Sequence, residues 1–172
     1  MPSVPGILIL PQYKYKNSQG YVYEEYSIGR GAFYCQNNIV SIGIRKSINA
    51  IGTHAFYKSK RISEVINCSS KRTIERGKDS NGYVGKYARE VRNSTNDFAL
   101  ENIFTTEVEN FYYHYPSNQE EFPFRIIVRY FGDAEEVQIS TNPSSSTYEI
   151  ASDAFLGNHT MKSLTLDGSF IL

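Results

Sequence analysis

The chain has 172 residues, 40% of them hydrophobic and 21% charged, with Lys+Arg and Asp+Glu balanced at 18 each. That length holds one domain or a short solenoid with a real core. A formal net charge of zero excludes a general nucleic-acid binder, which carries a basic excess.

Fourteen Tyr and ten Phe stand beside no Trp, a bias that suits either an interface or tyrosines covering half-buried strands. The near-zero charge also leaves little repulsion between copies, which suits assembly. Residues 1–25 read as an N-terminal strand or cap segment. Within them Met1 to Leu10 has a four-residue apolar run, Ile7 to Leu10, with no basic residue ahead of it. This pattern is neither a signal peptide nor a membrane span, so no membrane insertion is expected. An intracellular protein, part of a virus particle, and a chain whose export signal was removed all fit.

Residues 26–92 carry a repeat, and a third copy follows in residues 139–172. Ile28-Gly29-Arg30-Gly31-Ala32-Phe33, Ile51-Gly52-Thr53-His54-Ala55-Phe56 and Ile150-Ala151-Ser152-Asp153-Ala154-Phe155 align without gaps, and the step from Ile28 to Ile51 sets the period. Eleven residues past the leading Ile stand Ile39, Ile62 and Met161. Fourteen past it stand Ile42, Val65 and Leu164, and sixteen past it Ile44, Asn67 and Leu166, with Asn67 the polar exception. A period in the twenties is the mark of a solenoid. The Ala-Phe pair is predicted in a short helical turn, small Ala allowing close approach and Phe filling the core. The alternating ladder positions predict a strand with one face buried. No unit can bury its own apolar face, so copies must stack.

These residues resemble the BspA-type branch of the leucine-rich repeats, whose unit carries an I-G-x-x-A-F core followed by a spaced Leu/Ile ladder. The resemblance covers Ile28 to about Val91 and Tyr148 to about Leu166. It implies an α/β, leucine-rich-repeat-like solenoid of short strands and helical turns, interrupted by an irregular strand-containing insertion. It also implies a buried, inert thiol at Cys35, surface adhesion, protein binding, and a cell-surface or secreted location. The stretch Thr73 to Gly77 with Ser80 to Ala88 is similar to the closing unit of such arrays. Ser80 or Asn81 can cap a helix there, and Tyr83, Val84, Tyr87, Ala88 and Val91 share one helical face. The basic residues between Lys58 and Lys78 read as a solvated face.

Residues 93–138 lose the phase and read as an insertion or a degenerate repeat. They hold the run Phe111-Tyr112-Tyr113-His114-Tyr115-Pro116 and a predicted strand from Phe124 to Tyr130. Ser140 to Thr147, with Pro143 and four serines, reads as a loop. The third repeat and a C-terminal strand complete residues 139–172. The apolar Leu164, Leu166, Phe170, Ile171 and Leu172 are expected to be covered by another chain or by the insertion. Oligomerisation through this end and through the Tyr-rich segment follows from that reading.

Catalytic motifs are absent: there is no GxSxG, HExxH, P-loop or GxGxxG. His54, His114 and His159 have no metal-ligand spacing, and Cys68 reads as structural, so neither cofactor nor metal is expected. Asn67-Cys68-Ser69, Asn93-Ser94-Thr95 and Asn158-His159-Thr160 fit the glycosylation sequon. The surface most suited to binding is the sheet face between buried ladder positions: Ser41, Gly43 and Arg45, then Glu64 and Ile66, then Ser163, Thr165 and Asp167. A solvated polar sheet with no partner fits the same residues. The expected function is a non-catalytic, adhesin-like module binding a protein or glycan partner through that face. The alternative is a structural subunit of a larger particle such as a virion or surface appendage, with an enzyme using an unrecognised site a distant third.

Overall fold

A computed structural model describes residues 6–118, 120, 124–140 and 147–171. Leu172 and most of the Ser140–Thr147 loop lie outside the described residues. The chain forms two compact units, Met1–Ile103 and Phe104–Leu172, each built on β-solenoid coils.

Unit one runs through β1 (Ile7–Ile9), β2 (Tyr15–Lys16), β3 (Val22–Tyr23), β4 (Tyr26–Ile28), β5 (Ser41–Ile44), β6 (Ile48–Ile51), β7 (Glu64–Asn67) and β8 (Glu90–Asn93). β1, β5, β7 and β8 form one parallel sheet in that order, and β4 and β6 pair in parallel as a second. The β5–β7 register sets Ser41 opposite Glu64, Ile42 opposite Val65 and Ile44 opposite Asn67, so one coil is the step from Ser41 to Glu64. The next coil is three residues longer, because Val65 faces Val91 and Asn67 faces Asn93. Those added residues are why the sequence phase stops there.

The expected helical turns are not helices. Among the described residues the only helical pieces are two 3-10 turns, Asn81–Tyr83 and Asp97–Glu101. The reason lies in where the amides go. In the first Ala-Phe turn, Ala32, Tyr34 and Gln36 donate within their own turn, to Gly29, Gly31 and Phe33. Gly31, Phe33 and Cys35 donate instead to Thr53, Ala55 and Tyr57 of the next coil. Half of the N–H groups thus bond sideways, which an α-helix forbids. The backbone obliges by entering the left-handed region at Gly31 and His54, and again at Cys35 and Lys58, each pair one coil apart. Gly157, seven residues past Ile150 as Cys35 is past Ile28, does the same.

The expected closing helix is also replaced. Gly82 is left-handed, a Cβ there would lie 2.5 Å from the Gly52 carbonyl oxygen, and one at Gly85 would lie 2.4 Å from that of Glu75. Backbone passing that close leaves no room for a side chain at either glycine, and only the 3-10 turn Asn81–Tyr83 forms there. Ser80 makes no side-chain cap, Asn81 ties down Arg72 and Thr73, and Val91 lies on β8.

The core of unit one gathers Ile28, Ile39, Ile42, Ile44, Ile48, Ala55, Phe56, Ile62, Val65, Ile74, Val84 and Ala88. Phe33 and Phe56 stack with ring centroids 4.9 Å apart and planes 10° from parallel. Phe56 is wholly buried, but Phe33 is half-buried and its neighbour Ala32 exposed. The polar ladder position Asn67 is satisfied in place. Its Nδ2 donates to the Arg72 carbonyl at 2.9 Å and to Asn93 Oδ1 at 2.8 Å, and its Oδ1 accepts from Ser69 N. A buried amide so bonded avoids the penalty of an unpaired polar group.

Unit two contains β9 (Thr105–Val108), β10 (Phe111–His114), β11 (Arg125–Tyr130), β12 (Glu136–Ser140), β13 (Tyr148–Ile150), β14 (Ser163–Asp167) and β15 (Phe170–Ile171). One sheet has the order β15-β13-β11-β10-β9, and β12 pairs in parallel with β14. Ile127 faces Ile150, the same step as from Ile28 to Ile51, while the step from Val137 to its partner Leu164 is four residues longer. The stretch from β11 to β12 is therefore a coil with its turn four residues shorter. Tyr130 N donates to the Ala154 carbonyl at 2.9 Å, as Phe33 N does to Ala55, and the Tyr130 ring meets Phe155 at 5.8 Å. Tyr130 takes the place of the missing phenylalanine. Ala154 is buried and Phe155 half-buried. Phe111 and Tyr112 are buried and Tyr113 half-buried, so the segment expected as an open interface is largely packed inside its unit.

Candidate partner-binding sheet face

The sheet face expected between the ladder positions divides into a covered part and an open part. In unit one, β5 and β7 are buried on both sides. Ser41, Glu64 and Ile66 are buried and Arg45 is half-buried, so these residues do not form an open surface. The physical reason is a strap, residues 94–103, laid across the face. Leu100 packs with Ile66 and Cys68, joined by Ala99 and Ile103. Its Cδ2 occupies the space a Cβ at Gly43 would enter, 2.7 Å away. Asn96 Oδ1 caps the strap's 3-10 turn by accepting from Phe98 N, and Asp97 bonds Lys46 N and pairs with Arg45 at 3.7 Å.

Beneath the strap, the Ser41 hydroxyl donates to Glu64 Oε2 at 2.9 Å and Arg92 Nη2 meets Glu64 Oε1 at 2.6 Å. A buried carboxylate needs such partners. Cys68 is buried, its Sγ 3.3 Å from the Asn96 carbonyl, and burial pushes the thiol up. Cys35, expected to be buried, is exposed, because its left-handed backbone sits at the outer end of the turn.

In unit two the face is open. Ser163, Thr165 and Asp167 are exposed, while Leu164 and Leu166 between them pack against the core. Directly opposite stand Glu136, Gln138 and Ser140, also exposed, with Val137 and Ile139 buried between them. Six polar side chains form three cross-strand pairs, Glu136–Ser163, Gln138–Thr165 and Ser140–Asp167. An acid lies at either end and neutral donors and acceptors fill the middle. Sequence reasoning misses the β12 half because Val137 stands four residues further ahead of Leu164 than the repeat period places it. The alternation Val137, Ile139 is the signal that could have found it.

His114 is fully buried, its Nδ1 3.2 Å from Thr105 Oγ1. His54 stacks on Tyr83 at 5.4 Å, and His159 is exposed. Among the described residues no three His, Cys, Asp or Glu side chains approach closely enough to hold a metal ion. All three sequon amides are occupied: Asn67 as above, Asn93 Nδ2 on the Ile74 carbonyl and Asn158 Nδ2 on the Gly132 carbonyl, each at 2.9 Å.

The coil geometry meets its counterpart among known families at residues 25–78, which match the BspA type leucine rich repeat region, a family described as six copies. These residues are similar to BspA-type leucine-rich repeats. The match spans under half of the chain. The motif at Ile150 lies beyond it, yet shares the coil-to-coil bonding of the matched residues, since Ala151 N donates to the Ile127 carbonyl as Gly52 N does to Ile28. No curated protein and no solved structure matches the chain.

Proposed function

We propose that this chain is a non-catalytic binding module, adhesin-like in kind, whose open β12–β14 face takes a protein partner. One observation carries the reading: six exposed polar side chains stand in fixed register on a ladder whose alternate residues are anchored in the core. Side chains so anchored on regular strands make a rigid platform, which spares a partner the entropy of ordering it. BspA-type repeats in the first unit support the same class of function. A glycan partner would use the same hydroxyl and amide groups.

The test is capture by immobilised protein, screened against extracellular-matrix proteins and a glycan array. Gln138→Arg combined with Thr165→Arg places two bulky charges at the centre of the face and is expected to abolish capture with the melting temperature unchanged. Capture that survives the double variant overturns the assignment. Glu64→Ala is unsuitable here, because it strips a buried partner from Arg92 and reports stability instead.

A further inference from the structure

A second site lies in unit one, on the segment that leads into the first coil. Tyr26, Tyr13, Tyr15 and Tyr23 follow one another as a row, with ring centroids 5.5, 6.4 and 6.1 Å apart. Tyr15 and Tyr23 are a cross-strand pair of the β2–β3 hairpin. Its turn is held by Asn17, whose Oδ1 accepts from Gln19 N and Tyr21 N. The Tyr26 hydroxyl donates to the Pro11 carbonyl at 2.7 Å, fixing the other end of the row. With Asn17 and Glu25 these rings line a groove of about 440 Å³, the size of an ordinary ligand site. Tyr13, Tyr15 and Tyr23 are 41–50% exposed, an unusual outlay of aromatic surface unless something covers it.

The groove's polar groups select the class of occupant. Its carboxylate, Glu25, is paired with Lys71, and the adjacent Glu24 with Lys14 at 3.0 Å, so no surplus charge calls for an ionic ligand. Its amide acceptor, Asn17 Oδ1, is spent on the turn. What is left to offer is the Asn17 Nδ2 donor and the hydroxyls of Tyr13, Tyr15 and Tyr23, between flat apolar rings. A complement is a ligand with compact apolar rings and carbonyl acceptors for those donors. A proline-rich segment in the polyproline II conformation fits: it lacks N–H groups, its carbonyls face outward, and it is extended before binding. We propose that the groove between Tyr26, Tyr13, Tyr15 and Tyr23 binds a proline-rich peptide in the polyproline II conformation.

The experiment is a titration of the full chain with N-acetyl decaproline amide, followed by amide chemical shifts and calorimetry. Saturable binding is expected, with shifts concentrated in residues 11–26. Tyr13→Ala with Tyr15→Ala should weaken binding by about tenfold or more. Tyr23→Phe keeps the ring and loses the hydroxyl, and should weaken binding by roughly threefold to tenfold. Tyr34→Ala, on the turn edge of the first coil, should leave it unchanged. Unaltered amide shifts in β5 and β7 will establish that each variant is folded. Failure to saturate with decaproline at several millimolar overturns the proposal. So does binding of cellohexaose at the same tyrosines when decaproline does not bind, which would make the groove a carbohydrate site.

Discussion

A Cβ added at Gly52 would stand 2.7 Å from the Arg30 amide nitrogen and 2.8 Å from the Gly29 carbonyl carbon, whereas at Gly29 it would meet nothing within 4 Å. The two glycines hold the same place in successive motifs, but Gly52 lies against the backbone of the coil before it. Gly52→Ala is therefore expected to cost about 1–3 kcal/mol of stability, and Gly29→Ala less than about 0.5 kcal/mol, measured by urea unfolding. Equal costs would mean that the coils do not stack as described. At Tyr113, burial, then Tyr148, Tyr115 and Glu109, pushes the phenol up to about 12. An unfolded tyrosine titrates near 10, so the folded state holds this proton more tightly. The stability it contributes is whole below about pH 10 and is lost as pH rises through about 12. Discounted for partial exposure, the loss is on the order of 1–2 kcal/mol. Thermal melts between pH 9 and 12 should show a shallower alkaline decline for Tyr113→Phe than for the natural chain.

The strap is the element that decides what unit one can offer. Leu100, Ala99 and Ile103 exclude water from Ile66 and Cys68, and Gly43 makes room for them. The two cysteines report on it from opposite sides. Cys35 is exposed and Cys68 buried with its thiol pushed up, so Ellman's reagent should modify Cys35 at once and Cys68 only on unfolding. Leu100→Ala, which costs about 2–5 kcal/mol at a buried position, should speed the reaction of Cys68 and leave that of Cys35 unaltered. A Cys68 rate that Leu100→Ala does not change would show that the strap is not what shields this face.

At the scale of the molecule, each unit has its own core. Phe56 packs with Ile42, Val65 and Val84, while Ile127, Tyr130, Val137 and Tyr148 belong to the other. Phe56→Ala should cost about 3–5 kcal/mol, a large share of the roughly 5–15 kcal/mol typical of a whole domain. Hydrogen exchange is the direct measurement. Amides of Ile42 and Val65 should lose protection in this variant, and those of Ile127 and Tyr130 should retain theirs. A uniform loss across both sets would mean that the chain unfolds as one cooperative body.

Repetition makes much of this legible in the amino-acid order alone. The spacing from Ile28 to Ile51 and the ladder Ile42, Val65 and Ile44 contain the coil length and the parallel register, because a solenoid repeats its geometry with its sequence. The stacking of Phe33 on Phe56 follows from the same spacing. Local pattern could not show that alternate amides of the turns bond to the next coil, so turns that are not helices stand where helices were expected. Nor could it show that Tyr130 replaces a phenylalanine in a shortened coil, since a four-residue deletion breaks the phase while leaving the strand pairing intact. The candidate sheet face divided along the same line. Ser163, Thr165 and Asp167 are open as their alternation implied, but Ser41, Glu64 and Ile66 are closed by a strap whose Leu100 lies more than a full coil further along the chain. Alternation tells which side chains leave the core on a strand. What then lies over them depends on where a distant segment packs, and that is settled only by tertiary structure.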